Sequence, residues 1–290
     1  MKVHHLDCAT MCPLARRFTN GAGSLFERGS MCGHCLLVET ERHGLVLIDS
    51  GFGEDDRRDP RGRLGGAFCG LIGFDASRVR TAKAQITALG LSVDDVRHVI
   101  PTHLDLDHAG GLPDFPKAKV HVHAREKAAA TDPPTFAERE RYKRCHMAHG
   151  PDWQLYDSAG ESWKGFPAVR QLVGLPPEIL CVPMHGHTRG HWLVAVQAPA
   201  SAPTGPAATR WLLHCGDAYF HRGVVRPSEG PVPFGLRLFE HNVCVDRQRV
   251  LENHERLREL AARNDPELAM FSAHDPVELE RLAGPTAKAA

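Results

Sequence analysis

Short apolar runs, each closed by a glycine or a polar cluster, punctuate the chain. Residues 35–40 (Cys-Leu-Leu-Val-Glu-Thr) and 45–49 (Leu-Val-Leu-Ile-Asp) are β-branched and apolar, with Arg42-His43-Gly44 between them, so they predict a hairpin. Asp49-Ser-Gly-Phe-Gly53 then ends the second strand in a glycine-rich loop. Val79, Ala82, Ile86 and Leu89 recur at helical spacing before Gly90, which predicts an amphipathic helix over 76–89 with a left-handed cap. A strand over 96–101 runs directly into Thr102-His-Leu-Asp-Leu-Asp-His-Ala-Gly-Gly111, and another covers 118–123. Further strands are predicted over 179–182, 191–197, 210–215 and 266–272. A long helix over 246–262 carries Val250, Leu251, His254, Leu257 and Leu260 on one face, and a closing helix spans 276–282.

Residues 124–170 break this rhythm. They are polar, contain Pro133-Pro134 and lack a strand period, but they hold Phe136, Tyr142, Trp153, Tyr156, Trp163 and Phe166. This segment is expected to be a partly helical, lid-like insertion over the site, its aromatics offering an apolar wall. The last eight residues, from Ala283, read as a loose tail. Strands followed by a helix, given twice, predict an α/β chain with two sheets between helices, in a single domain over 1–290.

Composition narrows the partners. The chain has 35 basic and 35 acidic side chains and no dense Lys/Arg block, which argues against nucleic acid. No apolar stretch is long enough to span a bilayer, and Met1-Lys-Val-His-His5 does not resemble a signal peptide, so a cytoplasmic protein with no membrane partner is expected. Nine cysteines, several inside apolar runs, suit a reducing compartment. Cys8, Cys12, Cys32 and Cys35 form only a loose match to zinc-ligand spacings. A small-molecule substrate is the expected partner, with a homodimer left open.

The 19 histidines are the compositional anomaly. His103-x-Asp105-x-Asp107-His108 puts four donors within six residues at the end of a strand. Taken singly, each is an ordinary turn residue or helix cap. Together they are costly to bury without a metal. Met184-His-Gly-His187-Thr-Arg-Gly-His191 repeats the device, with His187 as ligand, His191 as its hydrogen-bonding support for a carboxylate ligand, and His185 as neighbour or bystander. Cys215-Gly-Asp217 and Ser272-Ala-His274 place one more carboxylate and one more imidazole just beyond strands.

In this order, Leu47-Ile-Asp-Ser-Gly51, His103-x-Asp105-x-Asp107-His108, Gly186-His187-Thr-x-Gly-His191, Gly216-Asp217 and His274, the sequence resembles the metallo-β-lactamase superfamily over about residues 34–275. The likeness is greatest to the N-acyl-homoserine lactone lactonase branch. It implies an αββα sandwich and two divalent metal ions, zinc in the first instance. One metal would take His103, Asp105 and His187, the other Asp107, His108 and His274, with Asp217 bridging. The family pattern usually reads H-x-H-x-D-H, so Asp105 stands where a second histidine is customary. A carboxylate there adds hard oxygen character and favours manganese or iron.

The resemblance implies hydrolysis of a lactone or carboxylic ester, such as an N-acyl-homoserine lactone, by water activated between two cations about 3.5–4 Å apart. Asp107, Asp217 and Tyr219 are the side chains expected at the chemistry itself. In the lactonases a tyrosine three residues past the bridging Asp helps hold the carbonyl. Phe220 occupies that place here, and Tyr219 is the neighbouring substitute. Alternative readings are a β-lactamase, a thioester or organophosphate hydrolase, or a non-hydrolytic di-iron redox protein. No G-x-S-x-G elbow, P-loop or dinucleotide fingerprint supports a different enzyme class.

Overall fold

Twelve strands make two six-stranded sheets in the computed structural model, which describes residues 1–157, 160–199 and 209–283. The first sheet contains β1 (Lys2–Asp7), β2 (His34–Glu39), β3 (Leu45–Ile48), β4 (Val96–Ile100), β5 (Lys119–His123) and β6 (Asp152–Tyr156), in that spatial order. The second contains β7 (Glu161–Trp163), β8 (Phe166–Gln171), β9 (Ile179–Pro183), β10 (Trp192–Pro199), β11 (Thr209–His214) and β12 (Leu268–Phe271), ordered from β12 to β7. The fold is the αββα sandwich of the metallo-β-lactamase type.

Near-continuous apolar runs are what strands buried on both faces require. Leu36, Val38, Val46, Ile48 and Ile100 point inward to meet Cys181, Val194, Val196, Leu212 and Phe271 of the facing sheet. Their alternates Leu37, Leu45, Leu47 and Val99 face outward and pack with Ala82 and Ile86 of the helix Ala82–Ala88 and with Ala129 and Ala130 of the helix Ala124–Thr131. On the other side Val182, Leu193, Ala195 and Leu213 meet Leu257 and Leu260 of the helix Arg247–Ala262. A fourth cluster joins the N-terminal arm (Ala9, Met11, Met31) to Phe52, Leu64, Ile72, Phe220 and Leu236.

Several elements differ from expectation. The strand β1 has no apolar alternation, yet it pairs with β2 from Lys2 opposite Glu39 to Asp7 opposite His34. The helix expected over 76–89 begins only at Ala82, because Thr81 accepts the Ala84 N–H as its cap and Asp75 ties Ser77 into a turn. Leu251 is 54% exposed, one position off the buried stripe of the helix Arg247–Ala262. Segment 124–170 is not wholly an insertion: β6 extends the first sheet in parallel with β5, and β7 and β8 extend the second. Only the helix Phe136–Arg141 and its neighbours flank the site. The tail from Ala283 lies, but for its first residue, outside the described residues.

Trp192 anchors the inter-sheet core, fully buried and donating its indole N–H to the Pro101 carbonyl at 2.7 Å. Trp192→Ala should cost about 3–5 kcal/mol in a urea titration. Phe136→Ala, at a side chain 73% exposed, should change stability by no more than about 0.5 kcal/mol. Equal losses would show that the core is not where these contacts place it.

Candidate metal centre

Strands β3, β4, β9, β11 and β12 all deliver their carboxyl ends to one edge of the sandwich. Strand β3 is parallel to β4 and β11 to β12, while β9 reaches the same direction through two antiparallel steps across β10. Asp49, His103, His187, Asp217 and His274 each follow one of these ends within a few residues. Gly216, at φ +51°, permits the last bend. A Cβ there would lie 2.7 Å from His191 Nε2 and 2.8 Å from Thr102 Oγ1, so no other residue fits.

All seven sequence-derived candidates converge, in two groups. His103, Asp105, His187 and Asp217 form the first, and Asp107, His108 and His274 the second, with the donor atoms of each group within 4.8 Å of one another. The short helix Leu106–Ala109 separates them by turning the chain between Asp105 and Asp107. Asp217 faces both groups: Oδ2 lies 3.4 Å from His187 Nε2 and 3.7 Å from His103 Nε2, whereas Oδ1 lies 3.0 Å from His274 Nε2 and 3.2 Å from His108 Nε2. Asp107 Oδ2 is 3.6 Å from His274 Nε2 and 3.9 Å from His108 Nε2.

The surroundings fix which nitrogen three of the four imidazoles present. His108 Nδ1 donates to Asp49 Oδ2 at 2.9 Å, and His274 Nδ1 donates to the Cys32 carbonyl at 2.8 Å. His103 Nδ1 donates to Thr102 Oγ1 at 3.0 Å, and that hydroxyl donates onward to Asp49 Oδ2. In each case the Nε2 lone pair is left facing the cluster, as metal ligation needs. His103 Nε2 and Asp217 Oδ1 are buried with no hydrogen-bond partner. Orphaned donors of this kind, in an N/O set of four imidazoles and three carboxylates, fit a pair of divalent cations.

Charge confirms the coupling within the cluster. Burial works against His108, but Asp217, Asp49 and Asp107 outweigh it and hold the imidazole well above its ordinary range. His274 is raised in the same way, chiefly by Asp217 against its burial. Burial lowers His187. Asp217 sits well below the usual carboxylate range, since His274, His108 and His187 overcome its desolvation.

Of three supporting residues, Asp49 lies in the Leu47-Ile-Asp-Ser-Gly51 motif, while Glu126 and Arg141 carried no distinctive sequence signal. Asp49, at φ 55°, accepts the Thr102 N–H as well as holding His108. Glu126, fully buried, accepts the Leu104 and Tyr142 donors on one oxygen and the Gly190 N–H on the other, so it clasps both ligand loops. Arg141 lies 3.3 Å from Asp105 and donates to the His187 and Val243 carbonyls.

Other candidates fall elsewhere. His191 supports Asp217 through its backbone, with Nε2 accepting the Asp217 N–H at 3.0 Å, rather than through its carboxylate. Tyr219 is buried among Val182, Leu213 and Leu257, and its hydroxyl donates to Glu278, away from the cluster. Phe220 instead faces the site, its ring stacked on His274 at 5.2 Å. Cys8, Cys12, Cys32 and Cys35 do not converge on a metal. Cys12 meets Arg78, Cys32 bonds the Ala273 carbonyl, and all nine cysteines are unpaired.

A cleft of about 1180 Å³ opens onto Asp105, Asp107, His187, Asp217 and His274. Its lining is mostly apolar, with Met11, Leu14, Phe18, Phe68, Leu71 and Ile72 and with Phe220, Leu236, Phe239 and Val243, and it also includes Glu138, Arg141, Lys143 and Arg189. None of the six aromatics of 124–170 lines it. Tyr142, Tyr156 and Phe166 are core residues, Trp153 packs on the outer core of the first sheet, Trp163 meets Trp211, and Phe136 faces solvent.

A sandwich carrying histidine and aspartate ligands at one edge defines the class, and residues 33–198 match the family model described as the metallo-beta-lactamase superfamily. The chain belongs to that superfamily. It is 42% identical, over 99% of its own length and 84% of the relative's, to a probable metallo-hydrolase of Mycobacterium tuberculosis. It is 30% identical to the N-acyl homoserine lactonase AttM of Azorhizobium caulinodans over 57% of this chain and 59% of that one. Among solved structures it resembles an N-acyl homoserine lactone hydrolase with N-hexanoyl-L-homoserine at its catalytic metal centre. The TM-score is 0.64 at 21% identity, over 97% of this chain and 95% of the other. No helix among the described residues is long and apolar enough to cross a membrane.

Cation binding should release protons. The carboxylates around His108 and His274 raise both above the ordinary histidine range against their burial and so favour the protonated forms without metal, whereas ligation requires the bare Nε2. Apparent zinc affinity should therefore fall as pH is lowered, with net proton release on binding. Calorimetry in buffers of different ionisation enthalpy measures this, and a pH-independent affinity would contradict it. Asp49→Ala, which removes the His108 support, should weaken metal affinity by about 10–100-fold.

Proposed function

We propose that the protein is a dinuclear metal-dependent hydrolase of lactones or carboxylic esters that carry an apolar acyl portion. The observation that carries this reading is the opening of a large apolar cleft directly onto the seven-residue cluster. His103, Asp105 and His187 would hold one cation, Asp107, His108 and His274 the other, and Asp217 both. When bound, such a pair supplies Lewis acidity for the substrate carbonyl and lowers the pKa of a water.

The chain's own residues supply the rest. His191 fixes the backbone of Asp217, and Thr102, Asp49 and the Cys32 carbonyl fix three imidazoles, so the donor set is oriented before substrate arrives. Phe220 offers a flat ring beside His274 and no hydroxyl at the position where the lactonase pattern has a phenol, so it would give a substrate carbonyl no hydrogen bond. The walls from Leu14 to Ile72 and from Leu236 to Val243 exclude water and hold the acyl portion. The volume exceeds the roughly 300–1,000 Å³ of an ordinary ligand site, room enough for a chain of several methylenes. Relatives named as lactonases, and one solved with an N-acylhomoserine product, support the same class. Zinc is the proposed metal, with manganese or iron allowed by the carboxylate at 105. A cytoplasmic setting suits nine unpaired thiols.

A panel of lactones, esters, β-lactams, thioesters and phosphodiesters tests the reading. Lactones or esters should rank first, and each added methylene that reaches the wall contributes about 0.8 kcal/mol, so four should raise kcat/KM by about a hundredfold. A flat response to chain length would remove the apolar-cleft argument. A phosphodiester or β-lactam in first place would overturn the substrate class, and a redox-active iron spectrum without hydrolysis the reaction class.

A further inference from the structure

Asp105 differs from the other candidate ligands in having a permanent cation against it. Among the described ion pairs, no other member of the cluster meets an arginine or lysine. Its two oxygens are divided. Oδ2 faces His187 Nε2 at 3.1 Å and His103 Nε2 at 3.4 Å, whereas Oδ1 lies 3.3 Å from Arg141 Nε. The guanidinium is held from behind: Nη1 donates to the His187 carbonyl at 3.0 Å and Nη2 to that of Val243, and only 11% of the side chain is exposed. Arg141 ends the helix Phe136–Arg141, so this helix is pinned to one ligand's carboxylate and another ligand's backbone.

We infer that Asp105 and Arg141 act together as one net-neutral metal ligand, the guanidinium cancelling the charge of the carboxylate while leaving a single hard oxygen for the cation. The inference rests on the dinuclear reading of the site and deepens it. The pair gives the first metal the charge balance that an imidazole would give, with an oxygen donor in its place. A buried guanidinium beside a divalent cation repels it unless a carboxylate stands between them. The two charges therefore offset each other, and changing one residue alone has an effect opposite in sign to changing the other.

A double-mutant cycle on the full chain tests this, with zinc and manganese affinities read by chelator competition and bound metal by elemental analysis. Arg141→Met removes the repulsion and should tighten the first cation by about tenfold or more. Asp105→His leaves the guanidinium facing a neutral ring and should weaken it by about tenfold or more. The double variant should return to within about threefold of the wild type. If Asp105→His does not fold, as judged by circular dichroism, the near-isosteric Asp105→Asn serves as that arm and should weaken binding likewise. Unchanged or tighter binding in the Asp105 variant, weaker binding in Arg141→Met, or a double variant that stays more than about threefold from the wild type would each overturn the inference. A wild type that holds two equivalents but whose two single variants do not shift affinity in opposite directions sinks the pair alone. A wild type that never exceeds one equivalent sinks the dinuclear reading and the pair with it.

Discussion

Three carboxylates and four imidazoles share one buried edge, and their mutual electrostatics is the constraint on which the rest of the site depends. Acids this close repel one another, and imidazoles this deep resist protonation. The protein balances the two against each other through Asp217, which touches four of the rings. Atoms such as His103 Nε2 are left without protein partners, as the ligands of bound cations would be.

Rigidity around the cluster comes from buried acids that are not themselves candidate ligands. Asp49 links β3 to the loop after β4, and Glu126 links that loop to the one after β9. Both occupy places where a buried carboxylate is tolerated only because each oxygen has donors aimed at it. Removing either would leave those donors unpaired, at a cost larger than the single hydrogen bond suggests.

The two sheets, the positions of most strands along the chain and the seven convergent donors were legible because strands buried on both faces write continuous apolar runs, and ligands at strand ends follow them directly. What stayed hidden has physical reasons. The edge strand β1 owes its place to backbone pairing with β2 rather than to apolar side chains. Tyr219 and Phe220 are adjacent, and which of them faces the cluster depends on the turn after Asp217, a matter of backbone torsion that composition does not record. The aromatics of 124–170 announce burial without saying against what. They pack into the layers, while the cleft walls come from stretches such as 11–18 and 64–72, which lack a regular period. Arg141 meets Asp105 across 35 intervening positions, and no local pattern signals such a pairing.

The separate origin of walls and ligands has a bearing on how such a protein can diversify. Leu14, Phe18 and Leu71 border the cleft while 61%, 48% and 62% exposed, and none belongs to the packed layers. Replacing a side chain this exposed changes folding stability by about 0.5 kcal/mol or less. The rim can thus drift, residue by residue, through shapes that admit different molecules, while the strand ends beneath it keep one reaction centre intact. Descendants of this chain could part company in diet without parting in chemistry.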